Sequence, residues 1–272
     1  MTISGSDVDF VSQVVRARSA IVLDRSKEYL IESRLVSLAR ERGDASVADL
    51  VAKLRRAPVG PIRDQVVEAM TTNETSFFRD AHPFRALSEE ILPELLIQRG
   101  REHSLNIWCA ACSSGQEPYT IAMLIQELIG ADPSWRVRLL ATDIDTKMLA
   151  RTKDGIYNQF EVNRGLPAHL LVRYFARHGM NYQIDGRLRA MVETRFLNLA
   201  ESFPPLPQCD VVFLRNVLIY FDIDTKRQIL AQVKRVLRPD GYLFLGGAET
   251  TMNVVDSWER QAIGRATVYR PR

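Results

Sequence analysis

The hydrophobic and polar positions change their pattern along the chain, from a helical period to an alternation of strands and helices. Up to residue 72, apolar residues recur at helical spacing, as from Phe10 to Val15, with a break at 58–61 and no strand-like run. From residue 105 onward, short apolar runs alternate with amphipathic segments, which is typical of a parallel sheet covered by helices. The pattern predicts a helical domain at 1–72, a linker and lead-in helix at 73–104, and an α/β domain at 105–272.

The first predicted strand, Leu105 to Ala110, leads into a run of small residues that ends at Gly115. Small residues allow a ligand to approach the backbone closely. Pro118 follows, at a position where the first turn of a helix tolerates a missing N–H. Together these segments resemble the opening of a nucleotide-binding α/β unit, with helix N–H groups facing the crevice. An ordinary turn without a ligand also fits, because Gly115 is the only glycine here.

The second predicted strand begins at Arg136 and ends on an acidic residue, Asp143. An acidic side chain at the carboxyl end of this strand commonly binds ribose hydroxyls in such folds. Alternatively, Asp143 could cap the following helix. Because Asp145 or Thr146 could also provide that cap, Asp143 is left free and ribose binding is favoured.

A later strand, Asp210 to Leu214, is followed directly by polar residues, among them Arg215, Asn216 and Tyr220. Residues that follow a strand at its carboxyl end face the ligand crevice of an open parallel sheet. The three side chains are therefore candidate site residues.

Two further segments carry specific expectations. The polar segment from Thr71 to Asp80 can present donors and acceptors to a ligand, or begin a helix with Thr75 or Ser76 as its N-cap. The dipeptide Asp185-Gly186 lies between two alternating runs, which is a strong hairpin signal. It predicts a small antiparallel insertion at about 179–195.

Composition narrows the class of protein. The chain of 272 residues is 46% hydrophobic and 25% charged, as in globular proteins. A net charge of +3 does not indicate a general nucleic-acid binder, and no apolar run approaches the ~20 residues of a transmembrane helix. The arginines of the helical domain can form a solvated surface or a docking face for an acidic partner. A monomer is the default expectation.

The cysteines and the N-terminus bear on location. The three cysteines, Cys109, Cys112 and Cys209, lie in apolar surroundings, and their odd number fits a reducing cytosol. Cys109 and Cys112 have zinc-like spacing, yet there is no second pair, so we interpret them as packing residues and expect no metal site. The first residues lack the basic and apolar regions of a signal peptide. We therefore expect a cytoplasmic protein.

With these segments in place, nearly the whole chain resembles the CheR family of chemotaxis receptor methyltransferases. The residues that carry the resemblance are Thr72–Thr75 with Phe78–Arg79, Ala110–Tyr119, Ala141–Ile144 and Arg215–Phe221. The family transfers a methyl group from S-adenosylmethionine to glutamates on the cytoplasmic helices of chemoreceptors. The resemblance implies a Rossmann-like methyltransferase sheet with an all-helical N-terminal domain and a small inserted antiparallel β subdomain.

The resemblance also implies site residues. Cofactor contacts would come from Asn73, Thr75, Arg79, Glu117, Asp143, Asn198, Leu199, Arg215 and Asn216. Within this set, Glu117 would bind the amino group and Asp143 the ribose, while Asn198 and Leu199 would flank the adenine. Arg79 and Tyr220 match positions that assist transfer, and either Arg79 or Arg215 could align the substrate carboxylate.

The chemistry implied by this resemblance needs no general base. A glutamate has an unperturbed pKa of about 4.3, so it is already ionised at neutral pH and can attack a sulfonium methyl group directly. The protein must supply alignment and desolvation. Two alternatives remain at this point: a methyltransferase acting on RNA or a small molecule, and a module that binds S-adenosylmethionine or a partner without catalysis.

Overall fold

The computed structural model describes residues 3–57, 59–130 and 132–272, so Pro58, where the predicted break at 58–61 begins, lies outside them. The described chain forms two compact units. The helical unit contains the residues up to Thr72 together with Leu199–Glu201 and Tyr220–Lys226. The sheet unit contains Asn73–Asn198, Ser202–Ile219 and Arg227–Arg272.

The helical unit is built from amphipathic helices with capped ends. Between residues 3 and 72 its described part has four α-helices: α1 Gly5–Ser19, α2 Glu28–Arg42, α3 Val47–Arg56 and α4 Pro61–Met70. Ser4 and Ser46 are side-chain N-caps of α1 and α3. Arg34 of α2 donates to the backbone oxygen of Thr71 at 2.7 Å, just after α4. Arg34 thus contributes to the internal structure of the unit, and Arg40 is exposed.

The sheet unit is centred on a mostly parallel sheet. In the described chain this sheet has seven strands in the order β6-β2-β1-β7-β8-β10-β9. The strands are β1 Ser104–Ala110, β2 Arg136–Asp143, β6 Val192–Phe196, β7 Cys209–Leu214, β8 Leu237–Leu245, β9 Trp258–Ile263 and β10 Ala266–Pro271. The first five pair in parallel with one another, while β10 is antiparallel to both β8 and β9. Strands β9 and β10 therefore form an antiparallel hairpin over residues 258–271.

Helices connect these strands and cover the sheet. They are α5 His82–Ala86, α6 Leu92–Gln98, α7 Gln116–Ile129, α8 Thr146–Asp154, α9 Gln159–Asn163, α10 Ala168–Tyr174, α11 Gly186–Met191 and α12 Ile223–Val236. Strand β1 lies between β2 and β7, so the strand order reverses at its carboxyl end. In open α/β sheets the ligand crevice lies at this point. The fold therefore presents the residues that follow β1, β2 and β7 at one edge.

The lead-in helix predicted within residues 73–104 is interrupted in the structure. The helix begins at His82, not at Thr75 or Ser76, and five residues, Leu87–Ile91, adopt a π-helical turn between α5 and α6. Pro93 follows within the first turn of α6. Proline lacks a backbone N–H, and a π-turn is one way to accommodate such an interruption. The interruption near Pro93 therefore takes the form of a π-turn next to it.

The small antiparallel sheet lies upstream of its predicted position. Its strands are β3 Ile156–Tyr157, β4 Phe175–His178 and β5 Asn181–Ile184. The hairpin turn joins His178 to Asn181, and the prediction of a turn at Asp185-Gly186 is wrong. Asp185 instead caps α11 by accepting the N–H of Arg187. Aspartate favours helix N-caps as well as turns, so its local sequence was compatible with both.

Candidate functional site

The turn after β1 has an unusual backbone. Ala111, Ser113 and Gly115 have positive φ values of 60°, 51° and 94°. A Cβ atom on Gly115 would lie 2.9 Å from atoms of Thr152 and Tyr157, so only glycine fits there. The turn therefore exposes its backbone to a ligand in the crevice. It is the segment of small residues that the sequence analysis singled out.

Asp143 ends β2 beside this turn and is 5% exposed. Its two carboxylate oxygens accept the backbone N–H groups of Ser113 at 2.8 Å and Asp145 at 2.9 Å. Asp145 is the N-cap of α8, as the sequence analysis allowed, so Asp143 has no capping role. Burial raises the pKa of Asp143 to about 6, and the backbone hydrogen bonds oppose that rise. The carboxylate is held rigidly and retains lone pairs for further donors.

Arg215 follows β7 and links three parts of the site. Its buried guanidinium donates to Glu117 at 3.0 Å, to Asp80 at 2.7 Å and to the backbone oxygen of Arg79 at 3.0 Å. Burial raises the pKa of Glu117, and the charge of Arg215 partly offsets this. Within the described chain, the hydrogen bond of Glu117 uses Oε2 and leaves Oε1 for a ligand. Arg215 therefore acts as the internal counter-ion of a buried carboxylate.

The segment before α5 is folded against the turn after β1. Ser113 donates its hydroxyl to the backbone oxygen of Asn73 at 2.7 Å, and the Asn73 amide donates to Asp145 at 2.7 Å. Arg79 donates to the backbone oxygen of Glu74 at 2.8 Å. Thr75 is half-buried. The segment is thus an irregular loop that carries Asn73 and Arg79 to the crevice, and the alternative of a helix start is wrong.

The end of this loop is conformationally strained. Phe78, Asp80 and Ala81 have φ values of 49°, 67° and 47°, which non-glycine residues rarely adopt. Such residues persist only where the surrounding structure fixes them, and they concentrate at functional sites. Here the hydrogen bonds from Arg215 to Asp80 and to the backbone of Arg79 hold the loop.

The remaining predicted residues divide between the two units. Asn198 is 6% exposed and ends a segment of the sheet unit, and Asn216 has a left-handed backbone with φ 57°. The Asn216 Oδ1 atom is buried and has no hydrogen-bond partner in the described chain. Leu199 and Tyr220 belong to the helical unit, where the backbone oxygen of Tyr220 accepts the N–H of Val22 at 2.9 Å.

Sequence reasoning missed three residues that organise this edge: Asp80, Ser113 and Glu249. Glu249 accepts the backbone N–H of Asn216, and Asp80 and Ser113 hold the contacts described above. Glu249 follows the carboxyl end of β8, so the rule that singled out Asp143 and Arg215 could also have found it. Asp80 and Ser113 lie in segments that the sequence did single out, but no local pattern marks these two residues, because their contacts join distant parts of the chain.

Comparisons with known proteins match this arrangement. Residues 6–71 match the family model described as "CheR methyltransferase, all-alpha domain". Residues 73–267 match the model "CheR methyltransferase, SAM binding domain". The two models together span most of the chain.

Similar proteins match over the full length. The chain is 39% identical to chemotaxis protein methyltransferase 1 of Pseudomonas aeruginosa over 276 residues, which cover 100% of both chains. It is 39% identical to chemotaxis protein methyltransferase Cher2 of Pseudomonas putida, over 93% of each chain. It is 37% identical to a chemotaxis protein methyltransferase of Vibrio anguillarum, over 99% of this chain and 98% of that one. The protein belongs to the CheR family of S-adenosylmethionine-dependent methyltransferases, as its sequence motifs implied.

Proposed function

We propose that the protein transfers a methyl group from S-adenosylmethionine to glutamate side chains on the cytoplasmic helices of a chemoreceptor, and that it acts in the cytoplasm. The observation that carries the proposal is the pair of carboxylates on either side of the turn after β1: Asp143, which is buried, and Glu117, whose side chain is 12% exposed. A cofactor with an ammonium at one end and ribose hydroxyls in its middle needs two such acceptors. In the described chain no helix is long and apolar enough to span a membrane.

The residues of this edge fit S-adenosylmethionine. The free Oε1 of Glu117 can accept its ammonium, and the remaining lone pairs of Asp143 can accept its ribose hydroxyls. The buried Oδ1 atom of Asn216 has unused acceptor capacity, as expected of an atom that faces a ligand. We assign Asn198 and Leu199 to the adenine, and Asn73 and Thr75 to the methionine end.

The cofactor supplies an electrophilic methyl group, and the protein's residues align the acceptor. Because the acceptor glutamate is ionised at neutral pH, no general base is required. Alignment and exclusion of water can lower the barrier by about 7–11 kcal/mol. The guanidinium of Arg79 donates a single hydrogen bond to a backbone oxygen, so it retains donors for the substrate carboxylate. The guanidinium of Arg215 is already paired with two carboxylates, and we assign it to positioning.

Tyr220 is the second residue that we assign to transfer. Tyr220→Phe is expected to leave the affinity for S-adenosylhomocysteine unchanged and to lower turnover by about 100-fold, because a misaligned acceptor reacts slowly. Calorimetry and transfer of a labelled methyl group to receptor-bearing membranes measure the two quantities. The control is Tyr29→Phe, which alters an exposed tyrosine on α2 of the same unit and should change neither quantity. Equal losses of affinity and turnover would contradict this division of roles.

The binding of the ribose is expected to depend on pH through Asp143. Because burial raises the pKa of Asp143 to about 6, its carboxylate is ionised at pH 7 and becomes protonated as the pH falls to 5. If only the ionised form accepts both ribose hydroxyls, the Kd for S-adenosylhomocysteine rises about tenfold between pH 7 and 5. Burial also raises the pKa of Glu117, and Arg215 partly offsets that rise. Asp143→Asn should therefore bind more weakly and with a shallower pH dependence, and an unchanged slope would exclude Asp143 from binding.

One experiment tests the proposed function as a whole. Purified protein is incubated with labelled S-adenosylmethionine in three parallel reactions. The first contains receptor-bearing membranes, the second contains bulk RNA, and the third contains no acceptor. We expect base-labile label on the receptors alone, since glutamate methyl esters hydrolyse in alkali. Label on RNA would overturn the assignment of substrate. Binding of S-adenosylhomocysteine without transfer to any acceptor would indicate a non-catalytic binding module.

A further inference from the structure

Glu249 lies in the loop after β8, where its carboxylate joins the ends of two neighbouring strands. Its Oε2 atom accepts the backbone N–H groups of Asn216 at 2.7 Å and Gly246 at 2.7 Å. Its Oε1 atom accepts the N–H of Ile219 at 3.3 Å. Strands β7 and β8 pair in parallel, so Asn216 and Gly246 follow adjacent strand ends. The side chain of Glu249 therefore connects the loop after β7 to the loop after β8 at the carboxyl edge of the sheet.

The fit around this carboxylate is close. A Cβ atom on Gly246 would lie 2.7 Å from Oε2 of Glu249 and 2.7 Å from the side-chain nitrogen of Asn216. Asn216 also has the left-handed backbone that turns its N–H towards Glu249. The hydrogen bonds from Glu249 stabilise this conformation, and with it the direction of the Asn216 side chain, whose Oδ1 atom is buried and unpaired.

We propose that Glu249 is a positioning residue for methyl transfer: it fixes the backbone at residues 215–219 and thereby the side chains of Arg215 and Asn216. This inference rests on the proposed function but assigns a residue to which the family resemblance gave no role. Glu249 acts through its neighbours, since its own carboxylate oxygens are occupied by backbone N–H groups.

The role requires both oxygens of a carboxylate. In Glu249→Gln, the amide keeps one oxygen, and its NH2 group must face a backbone N–H donor. At least one hydrogen bond is lost, and the loop after β7 gains alternative conformations. Misplacement of catalytic groups by about 1 Å can lower turnover about 100-fold. Glu249 is half-buried and lies outside the hydrophobic core, so we expect the fold to persist.

The cleft beside Glu249 allows this role to be tested by chemical rescue. Glu249 lines an open cleft of about 510 Å³, together with Asp80, Arg260, Arg265 and Thr267. Formate can enter such a cleft and occupy the space that Glu249→Ala creates. The experiment measures kcat, KM and S-adenosylhomocysteine affinity for Glu249→Gln and Glu249→Ala, with and without formate. Glu259→Gln removes an exposed carboxylate on β9 and is the matched control.

We expect a kcat loss of about 10- to 100-fold in both variants, little change in the midpoint of thermal unfolding, and partial rescue of Glu249→Ala alone by formate. Wild-type kinetics in Glu249→Gln would overturn the proposal. Unfolding of both variants would also overturn it, because Glu249 would then serve global stability. If the wild-type protein methylates no receptor, the proposed function fails. In that case the inference is tested by S-adenosylhomocysteine affinity, which should fall in Glu249→Gln.

Discussion

Replacing Arg215 with methionine is expected to lower the free energy of unfolding by about 3–5 kcal/mol and to abolish measurable binding of S-adenosylhomocysteine. The Arg215 side chain is 2% exposed and pairs with Glu117, whose side chain is 12% exposed. Methionine retains the aliphatic part of the side chain but leaves a largely buried carboxylate without its counter-ion. The strained loop would also lose the hydrogen bonds that Arg215 donates to Asp80 and to the backbone oxygen of Arg79. Chemical denaturation and calorimetry measure the two effects.

A second substitution separates stability from function in this pair. In Arg215→Met/Glu117→Gln, no buried charge is unpaired, so much of the lost stability should return while binding remains absent. The loss in the single variant should decrease as the pH is lowered, because burial raises the pKa of Glu117 and its protonation removes the unpaired charge. Arg138→Met breaks a half-exposed pair with Glu193 and serves as the control, with an expected loss below about 1 kcal/mol. Recovery of binding in the double variant would show that the cofactor does not need these charges.

The predictable part of the site consists of residues whose role follows from their position at a strand end. Asp143 and Arg215 each follow an apolar run directly, and the turn ending at Gly115 is marked by small residues. The sheet of parallel strands then brings these segments to one edge. The CheR resemblance added Asn73, Arg79 and Glu117, which carry no local signal of comparable strength. The fold class and the family were therefore accessible from the sequence alone.

The contacts between these segments were not accessible in the same way. Arg215 reaches Asp80 and Glu117, which lie 135 and 98 residues away along the chain, and Glu249 reaches Asn216 across 33 residues. No periodicity encodes such pairs. The displaced β insertion has a different cause, since Asp185 satisfies the rules for a hairpin turn and for a helix N-cap equally well. Tertiary packing decided between two locally permitted structures.

A second buried and paired arginine lies far from the crevice, and we expect it to have a structural role alone. Arg99 has a side chain that is 6% exposed, and it bonds Asp210 at 2.6 Å and Asp240 at 2.7 Å. Asp210 also accepts the N–H of Asn106 at 2.8 Å. These contacts lie where β1 and β7 begin, at the end of the sheet opposite to the crevice. The same chemistry as at Arg215 should therefore serve the structure of the sheet alone.

Arg99→Met is accordingly expected to cost about 3 kcal/mol of unfolding free energy, because Asp210 would remain fully buried and keep Arg238, at 3.3 Å, as its remaining ion-pair partner. The affinity of the folded variant for S-adenosylhomocysteine should equal that of the wild-type protein. Because Arg99 lowers the pKa of Asp240, the stability contributed by that pair is lost as the pH falls through this lowered pKa, so the variant and wild-type proteins should converge in acid. Arg101→Met, at an exposed neighbouring position, is the control. A selective loss of cofactor affinity in folded Arg99→Met would contradict this distinction, because it would show that contacts at the opposite end of the sheet affect cofactor binding in the crevice.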